Sequence, residues 1–261
     1  MNIEYPEQKI TKYNHDKLDM SRIPAVVDVA DIDQLPNDEY ALLRKNGLGG
    51  SDSASVLGVN PYKTLTELIN EKCRTYLTDE EKAVGQETAV RKGRDLEPLI
   101  LKKAAEAFGV RVIKPSDMYR HKDYPYLKMN FDGVLDLPEQ YIACEIKVVT
   151  SRGEKHYAPI KAIYNEQVGW INQDVPHYED SNNSVQTKAA QYGIPPYYYT
   201  QLQQEIMFTG DAPYGYLATL FEKTWNIYIF KIWRDQKCIN DIIIQGGLTW
   251  DKIERKRKEN G

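Results

Sequence analysis

The sequence predicts a single α/β domain built around a mixed β-sheet. Stretches whose apolar residues recur at helical spacing alternate along the chain with short strand-like runs. Two pairs of these runs are separated by short turns, a pattern typical of hairpins. The chain of 261 residues has no internal repeat and is long enough to bury one large core.

The composition excludes some classes of protein. Lys and Arg together number 34 and Asp and Glu 38, and the net charge of −4 excludes a simple basic protein that coats nucleic acid. An enzyme acting on nucleic acid is not excluded, because carboxylates at a metal site lower the net charge while a local basic channel persists. Apolar residues make up 41% and charged residues 28%, as in a soluble globular protein.

The cysteines and the N-terminus indicate where the protein works. Cys73, Cys144 and Cys238 are far apart, which argues against a disulfide framework, a zinc ribbon and a four-cysteine iron–sulfur cluster. The N-terminal residues lack the apolar core of a secretory signal, and no apolar run is long enough to span a membrane. We therefore expect a cytoplasmic protein without a membrane partner.

The first third of the chain is predicted to contain an N-terminal arm, two helices with a turn between them, and a charged loop. Residues 1–36 are polar and interrupted by prolines, so we expect an N-terminal arm with at most short structure. A helix is predicted from residue 37 to 44, followed by a turn of small residues at 47–53. A second helix is predicted at about 64–77, and the charged segment 78–93 is predicted to be mostly loop.

The middle of the chain is predicted to form a helix and then strands. Apolar residues at helical spacing over 96–108 predict a helix with Pro98 in its first turn and Gly109 as its C-cap. Strand-like runs follow at 110–113, 118–120, 131–137 and 141–149, the last two forming a hairpin.

The last part has a segment without periodic signal. Residues 150–196 are rich in Asn, Gln, Tyr and Pro, so we interpret them as an inserted loop region within one domain covering residues 37–261. Beyond it the pattern predicts a helix at 199–208, a hairpin of 214–221 with 225–233, and a helix at 236–258 interrupted at Gly246-Gly247.

The sharpest chemical signal is Asp132 followed by Glu145-Ile146-Lys147. Because side chains alternate along a strand, Glu145 and Lys147 point the same way, and Asp132 lies on the neighbouring strand of the predicted hairpin. Two carboxylates and an ammonium group would meet there, and hard oxygen ligands suit Mg²⁺ or Mn²⁺. Such a metal acts on phosphodiesters, although alternating charges on a strand are also the ordinary pattern of a solvated face.

Three further motifs have both a chemical and a structural interpretation. Glu97 would be a further ligand or an acid that complements a helix dipole. Gln201 and Gln203 would face the site or be exposed positions of a helix. Arg44 and Ser51, with the backbone of the glycine turn, would bind a phosphate or simply cap two helices.

In this order the motifs resemble the YqaJ-type viral recombinases, phage exonucleases related to lambda exonuclease within the PD-(D/E)XK nuclease superfamily. The resemblance covers about residues 40–233. The matching stretches are Arg44 to Tyr62 with its Gly-Leu-Gly-Gly-Ser turn, Gly93-Arg-Asp-Leu-Glu-Pro98, Asn130-Phe-Asp-Gly-Val-Leu-Asp136, Cys144-Glu-Ile-Lys147, and Tyr198-Tyr-Thr-Gln-Leu-Gln-Gln-Glu to Gly210.

The resemblance implies a restriction-endonuclease-like core, a central mixed sheet flanked by helices. It also implies a metal-dependent 5′→3′ exonuclease that acts on double-stranded DNA ends, leaving a 3′ strand for an annealing protein in phage recombination. The resemblance further implies that Asp132, Glu145 and Glu97 bind two Mg²⁺ or Mn²⁺ ions and that Lys147 activates the water. It implies that a catalytic Gln203 and a substrate-binding Gln201 lie beside the site. Arg44 and Ser51 would bind the 5′ phosphate. A homotrimer is expected by the same resemblance.

Two alternatives stay open at this stage. The core motif also occurs in endonucleases, either restriction-like or cutting branched DNA, and the Arg44–Ser51 pair is what favours an end-dependent enzyme. A non-catalytic DNA-binding module would be expected to lack at least one of Glu97, Asp132, Glu145 and Lys147, and all four are present.

Overall fold

Within the residues that the structure describes, an eight-stranded mixed sheet forms the middle layer of the molecule. The structure is a computed structural model that describes residues 14–84, 88–157, 163–165, 169–172 and 183–260. In spatial order the strands are β1 (Asn14–Asp16), β3 (Val112–Pro115), β6 (Val134–Asp136), β7 (Tyr141–Val149), β10 (Tyr214–Phe221), β11 (Asn226–Trp233), β9 (Gly169–Asn172) and β8 (Ile163–Asn165). A smaller sheet contains β2 (Val26–Asp31), β4 (Asp117–His121) and β5 (Lys128–Met129).

Helices cover both faces of the larger sheet. They are α1 (Asn37–Lys45), α2 (Ser53–Val56), α3 (Leu65–Lys72), α4 (Asp79–Val84), α5 (Thr88–Phe108), α6 (Val185–Tyr192), α7 (Pro196–Phe208) and α8 (Gln236–Asn260). Helix α5 contacts β3, β7 and β10, while α7 contacts β7 and β10 and also packs on α8. Two apolar clusters fill the spaces between these layers. The predicted α/β architecture with a central mixed sheet is therefore confirmed.

Strand β7 lies at the centre of this arrangement. It pairs antiparallel with β6, as the predicted hairpin requires, and parallel with β10. Cys144 and Ile146 lie in the apolar cluster on the α5 side, so the alternation inferred from the sequence holds. The second predicted hairpin, β10 with β11, is also present.

Part of the predicted N-terminal arm belongs to the folded domain. Strand β1 pairs with β3 and β2 pairs with β4, while Leu18 and Ile23 are buried in the core. The apolar patch at 25–30 belongs to β2, an edge strand whose neighbour is β4. Residues 1–13 lie outside the described residues.

Helix α5 begins earlier than predicted, which corrects the placement of Pro98. The helix spans Thr88–Phe108 with Pro98 inside it, and α4 occupies part of the predicted loop. An interior proline removes one backbone hydrogen bond. The fully buried side chains of Ile100, Leu101 and Ala104 stabilise the helix against this loss.

Helix α8 runs through Gly246-Gly247 without interruption, contrary to the prediction. A Cβ on either glycine would lie 3.2 Å from the Tyr126 ring or its hydroxyl, and that hydroxyl donates a hydrogen bond to Ile243 O at 2.7 Å. The glycines therefore provide room for Tyr126 rather than a break in the helix.

The predicted inserted loop contains regular structure where the structure describes it. A 3-10 turn at Glu154–His156, strands β8 and β9 and helix α6 lie within 150–196. The parts of that prediction at 158–162, 166–168 and 173–182 lie outside the described residues. None of the helices in the described ranges has the length and apolarity that crossing a bilayer requires.

Candidate active site

A cavity of about 360 Å³ opens where β7 faces α7 and the glycine turn. It brings together six of the eight side chains singled out from the sequence: Arg44, Ser51, Asp132, Glu145, Lys147 and Gln201. The other residues around it are Tyr40, Gly49, Gly50, Met118, Lys128, Met129 and Asn130. Residues that are up to 157 positions apart in the chain, as Arg44 and Gln201 are, thus share one site.

Asp132 is held against the backbone of β7. It follows the buried Phe131, and its Oδ2 accepts a hydrogen bond from Ile146 N at 3.0 Å. The next residue is Gly133, where a Cβ would overlap Leu101 Cδ2 and lie 3.3 Å from Val112. The close approach of α5 therefore requires glycine directly after the carboxylate.

We expect Gly133→Ala to lower the free energy of unfolding by about 1–3 kcal/mol, because Leu101 is fully buried and cannot move aside freely. Urea denaturation monitored by circular dichroism measures this. The matched control is Gly93→Ala in α5, where a Cβ meets nothing within 4 Å and alanine is the better helix former. Equal stability of wild type and Gly133→Ala would contradict the prediction.

Glu145 and Lys147 contact each other on the face of β7 that points to α7. Lys147 Nζ donates to Glu145 Oε1, and the Glu145 side chain is 1% exposed. Burial, together with the nearby charge of Asp132, raises the pKa of Glu145 to about 7. Burial alone would lower the pKa of Lys147, but the carboxylates of Glu145 and Asp132 outweigh it and raise that pKa, so the ammonium stays charged.

Helix α7 supplies an amide and a second buried acid. Gln201 Nε2 donates to Glu145 Oε1 at 2.5 Å and to Glu205 Oε1 at 3.3 Å. Burial, with the charge of Glu145, raises the pKa of Glu205 well above its usual value. Glu205 was not predicted as a site residue. Its signal is the spacing of four from Gln201, which places the two side chains on one face of the helix.

Gln203 does not lie beside the site, which corrects its prediction. Its Nε2 donates to Trp233 O at 2.9 Å and its Oε1 accepts from Asp235 N at 2.8 Å. It therefore ties α7 to the end of β11 and the start of α8. Two glutamines that are two positions apart on a helix point in different directions, so only one of them can face the cavity.

Glu97 lies near the cavity without lining it. Its carboxylate forms an ion pair with Lys114 of β3. Burial, and then the charge of Asp132, raises the pKa of Glu97, so the two carboxylates are close enough to interact. Since α5 extends in both directions from Glu97, this residue does not begin the helix as predicted.

Arg44 and Ser51 meet across the glycine turn as predicted. Arg44 Nη2 donates to Ser51 Oγ at 3.1 Å, and both line the cavity. The backbone N–H of Gly49 donates instead to Asp52 Oδ2 at 2.8 Å. The structure therefore corrects the prediction that this N–H faces a phosphate, and the guanidinium and the hydroxyl remain as donors. Ser51 lies within a 3-10 turn at Gly50–Asp52 and does not cap a helix.

Three cations from distant segments bind the carbonyl groups at the end of α1. Lys72 Nζ donates to Arg44 O at 2.9 Å and to Gly47 O at 3.0 Å. Lys128 Nζ donates to Leu43 O at 3.1 Å, and Arg257 donates to Lys45 O at 3.0 Å. Cations at a helix C-terminus complement its dipole. They fix the segment that carries Arg44 and the glycine turn.

None of these three cations was predicted in this role. Lys128 is buried and lines the cavity, and burial, with the charges of Lys72, Arg120 and Arg257, lowers its pKa to about 8. Arg257 belongs to the basic end of α8. A lysine inside a strand and an arginine in a basic run carry no sequence signal for such a contact.

The donors in the cavity fit a hard divalent cation. Among the described residues there is no group of three or more His, Cys, Asp or Glu side chains placed to hold a metal. Mg²⁺, however, commonly binds one or two carboxylates and keeps several waters. Asp132 and Glu145 provide two carboxylates here, and Glu145 Oε2 is buried without a hydrogen-bond partner. That oxygen is available to a cation.

Comparison with protein families and curated proteins gives two matches. The family model described as YqaJ-like viral recombinase domain matches residues 39–212. The uncharacterized protein YqaJ of Bacillus subtilis (strain 168) is 28% identical over 112 residues, which are 43% of this chain and 34% of that protein. The matched region thus spans about a third of the length of this relative.

Comparison with solved structures supports the fold. The alkaline exonuclease LHK-Exo from Laribacter hongkongensis matches with a TM-score of 0.53 and 15% identity, covering 85% of this chain and 95% of the other. LHK-Exo in complex with dAMP matches with a TM-score of 0.53 and 14% identity over the same shares. The fold is therefore the restriction-endonuclease-like PD-(D/E)XK core.

Proposed function

Because the chain belongs to the YqaJ-like viral recombinase domain family, we propose that it is a metal-dependent exonuclease that degrades one strand of linear duplex DNA from its 5′ end. The observation that carries this proposal is the single cavity that joins the Asp132–Glu145–Lys147 cluster to the Arg44–Ser51 pair. The first group suits phosphodiester hydrolysis and the second suits a terminal phosphate. An enzyme that must recognise an end needs both in one place.

Asp132 and Glu145 would hold the cation, Mg²⁺ or Mn²⁺, with Glu97 placed to contribute through water. When bound, such a cation neutralises the phosphate, lowers the pKa of a bound water and stabilises the leaving oxygen. The Lys147 ammonium, kept charged by Glu145 and Asp132, would donate a hydrogen bond to the attacking water and offset negative charge in the transition state. Gln201 Nε2 would hold the Glu145 carboxylate in position.

The Arg44 guanidinium and the Ser51 hydroxyl would bind the 5′ phosphate of the strand being cut. Arginine suits this task because its planar donors match two phosphate oxygens. By family resemblance we further propose that the product is a 3′ single strand used by an annealing protein in phage-type recombination, and that the enzyme is a homotrimer.

The test uses purified protein with linear duplex DNA labelled at either the 5′ or the 3′ end, together with a closed circle. We expect loss of label from the 5′ end with Mg²⁺, none with EDTA, and an intact circle. A nicked or cut circle would support the endonuclease instead. A shifted DNA band without cleavage in the presence of any divalent metal would support a non-catalytic DNA-binding module and refute the enzymatic function.

Arg44→Ala is expected to weaken the preference for a 5′-phosphorylated end over a 5′-hydroxyl end by about 10-fold or more, since one charge-assisted contact to phosphate is lost. The measurement is kcat/KM on the two substrates. Arg152→Ala, outside the cavity, is the matched control and should keep the preference. An unchanged preference in Arg44→Ala would dismiss the phosphate pocket.

A further inference from the structure

A row of three tyrosine rings connects the solvent to the reaction centre. Tyr62, in the turn after α2, is 72% exposed, and its ring meets that of Tyr197 at a centroid distance of 5.6 Å. Tyr197 contacts Tyr198 at 4.4 Å. The Lys147 ammonium lies 5.2 Å from the centroid of the Tyr198 ring. We call these three residues the tyrosine row.

Tyr62 leaves aromatic surface unused, whereas Tyr198 is partly buried and packs against the larger apolar cluster. The two ring contacts are edge-on, with interplanar angles of 72° and 63°. An edge-on contact covers one face of one ring and only the edge of the other. Tyr62 is therefore a large, exposed ring whose surface is not needed to fill the core. Through Tyr197 and Tyr198, this exposed ring is connected to Lys147 by direct contacts.

We propose that the tyrosine row is a stacking site for nucleobases of the strand being cut, next to the phosphate that reacts. This inference rests on the proposed exonuclease function. Every nucleobase has a π-face, so stacking on tyrosine tolerates any sequence, as an exonuclease requires. The terminal phosphate would have its own partners in Arg44 and Ser51, which line the cavity. The bases have no other large exposed ring in contact with this cluster among the described residues.

The tyrosine row would also assist the entry of a strand from a duplex end into the cavity. A strand that enters the cavity must separate from its complement, and each unpaired base loses its stacking partners. Rings placed from the surface inwards would replace those partners as the strand advances. Lys147 lies over the Tyr198 ring, so the inner end of the row would be close to the phosphate that reacts.

The test is a binding cycle measured by fluorescence anisotropy, with Ca²⁺ in place of Mg²⁺. One duplex is intact, and the other lacks the bases of the first three nucleotides of its 5′ strand. We expect wild type to prefer the intact duplex by about 5- to 30-fold, in line with stacking on an aromatic side chain. Tyr62→Ala is expected to lose most of this preference, and Tyr62→Phe to keep it.

Two controls separate stacking from other effects. Tyr76→Ala removes a tyrosine that is 61% exposed and outside the row, and it should keep the full preference. Tyr62→Leu keeps apolar bulk without a ring and should behave like Tyr62→Ala. If Tyr62→Ala or Tyr62→Leu retains the wild-type preference, the stacking site is refuted.

Cleavage measured in parallel distinguishes the two proposals. If wild type cleaves 5′ ends but shows no preference for the intact duplex, the exonuclease stands and the stacking site falls. If wild type neither binds nor cleaves DNA ends, the proposed function fails and the stacking site fails with it. With Mg²⁺, Tyr62→Ala should raise KM by about the same factor as its binding loss and leave kcat within about 2-fold, because Tyr62 does not touch the reacting atoms.

Discussion

Lys147→Ala is expected to reduce cleavage by about 100- to 10,000-fold while DNA binding survives. The reason is that Lys147 would act at the proposed reaction centre, where its ammonium contacts Glu145 and is kept charged by two carboxylates. Arg44, Ser51 and the tyrosine row, which would bind the DNA, remain in place. Single-turnover cleavage of a 5′-phosphorylated duplex and a filter-binding assay measure the two effects separately.

Two further variants test whether the loss of cleavage in Lys147→Ala comes from the loss of its charge. Lys147→Met keeps the apolar stem that packs near Tyr198 and removes only the charge, so it should be as inactive as Lys147→Ala. Lys223→Ala, an exposed lysine in the β10–β11 turn, should be fully active. Retained cleavage in Lys147→Met would remove the ammonium from the mechanism. Thermal unfolding of each variant shows whether the fold is intact.

Lys72→Met is expected to be the most destabilising of the substitutions considered, by about 3–5 kcal/mol, because it breaks a buried ion pair from one side. Lys72 Nζ lies 2.7 Å from Asp52 Oδ2, and the two side chains are 4% and 8% exposed. The substitution also leaves Arg44 O and Gly47 O without this donor. Urea denaturation measures the loss.

The matched control is an ion pair on the surface. Lys237 and Asp241 lie 2.8 Å apart in α8 and are 56% and 42% exposed. Exposed pairs contribute little, so Lys237→Met should change the free energy of unfolding far less than Lys72→Met does. Comparable losses in Lys72→Met and Lys237→Met would show that burial of the Lys72–Asp52 pair is not what makes it important.

The destabilisation by Lys72→Met is expected to depend on pH. Burial alone would raise the pKa of Asp52, but the Lys72 ammonium and further donors outweigh it and hold that pKa below its usual value. A carboxylate with a lowered folded pKa stabilises the fold above its unfolded pKa, about 3.9, and the contribution is lost as the pH falls through the folded value. The destabilisation by Lys72→Met should therefore be larger at pH 7 than at pH 3.

The sequence predicts the strands of the active site better than the surrounding helices. Alternation of charged and apolar residues over 144–148 identifies β7 and both faces of it, since strand periodicity is local. Pro98 and Gly246-Gly247 were interpreted by their local preferences, yet both lie inside helices. Burial of an apolar face and the close approach of Tyr126 outweigh those preferences, and neither is visible from neighbouring residues alone.

Among the site residues, too, those in local motifs were predicted and those that depend on tertiary packing were not. Asp132, Glu145, Lys147, Arg44 and Ser51 lie in motifs whose spacing carries chemical meaning, and they meet in the cavity. Glu205 and Lys128 were missed because a single Glu in a helix or Lys in a strand is usually exposed. The choice between Gln201 and Gln203 depends on how α7 is rotated on the sheet. That rotation is determined by tertiary packing.

The binding of the end of α1 by Lys72, Lys128 and Arg257 makes the proposed phosphate pocket dependent on the order of synthesis. Arg257 lies 212 positions after Lys45, whose carbonyl it binds, so most of the domain has already been synthesised before α8 emerges from the ribosome. Until α8 docks, the segment bearing Arg44 lacks one of its three anchors. A nascent chain would therefore complete the proposed pocket for a DNA end late, when the rest of the domain is already synthesised.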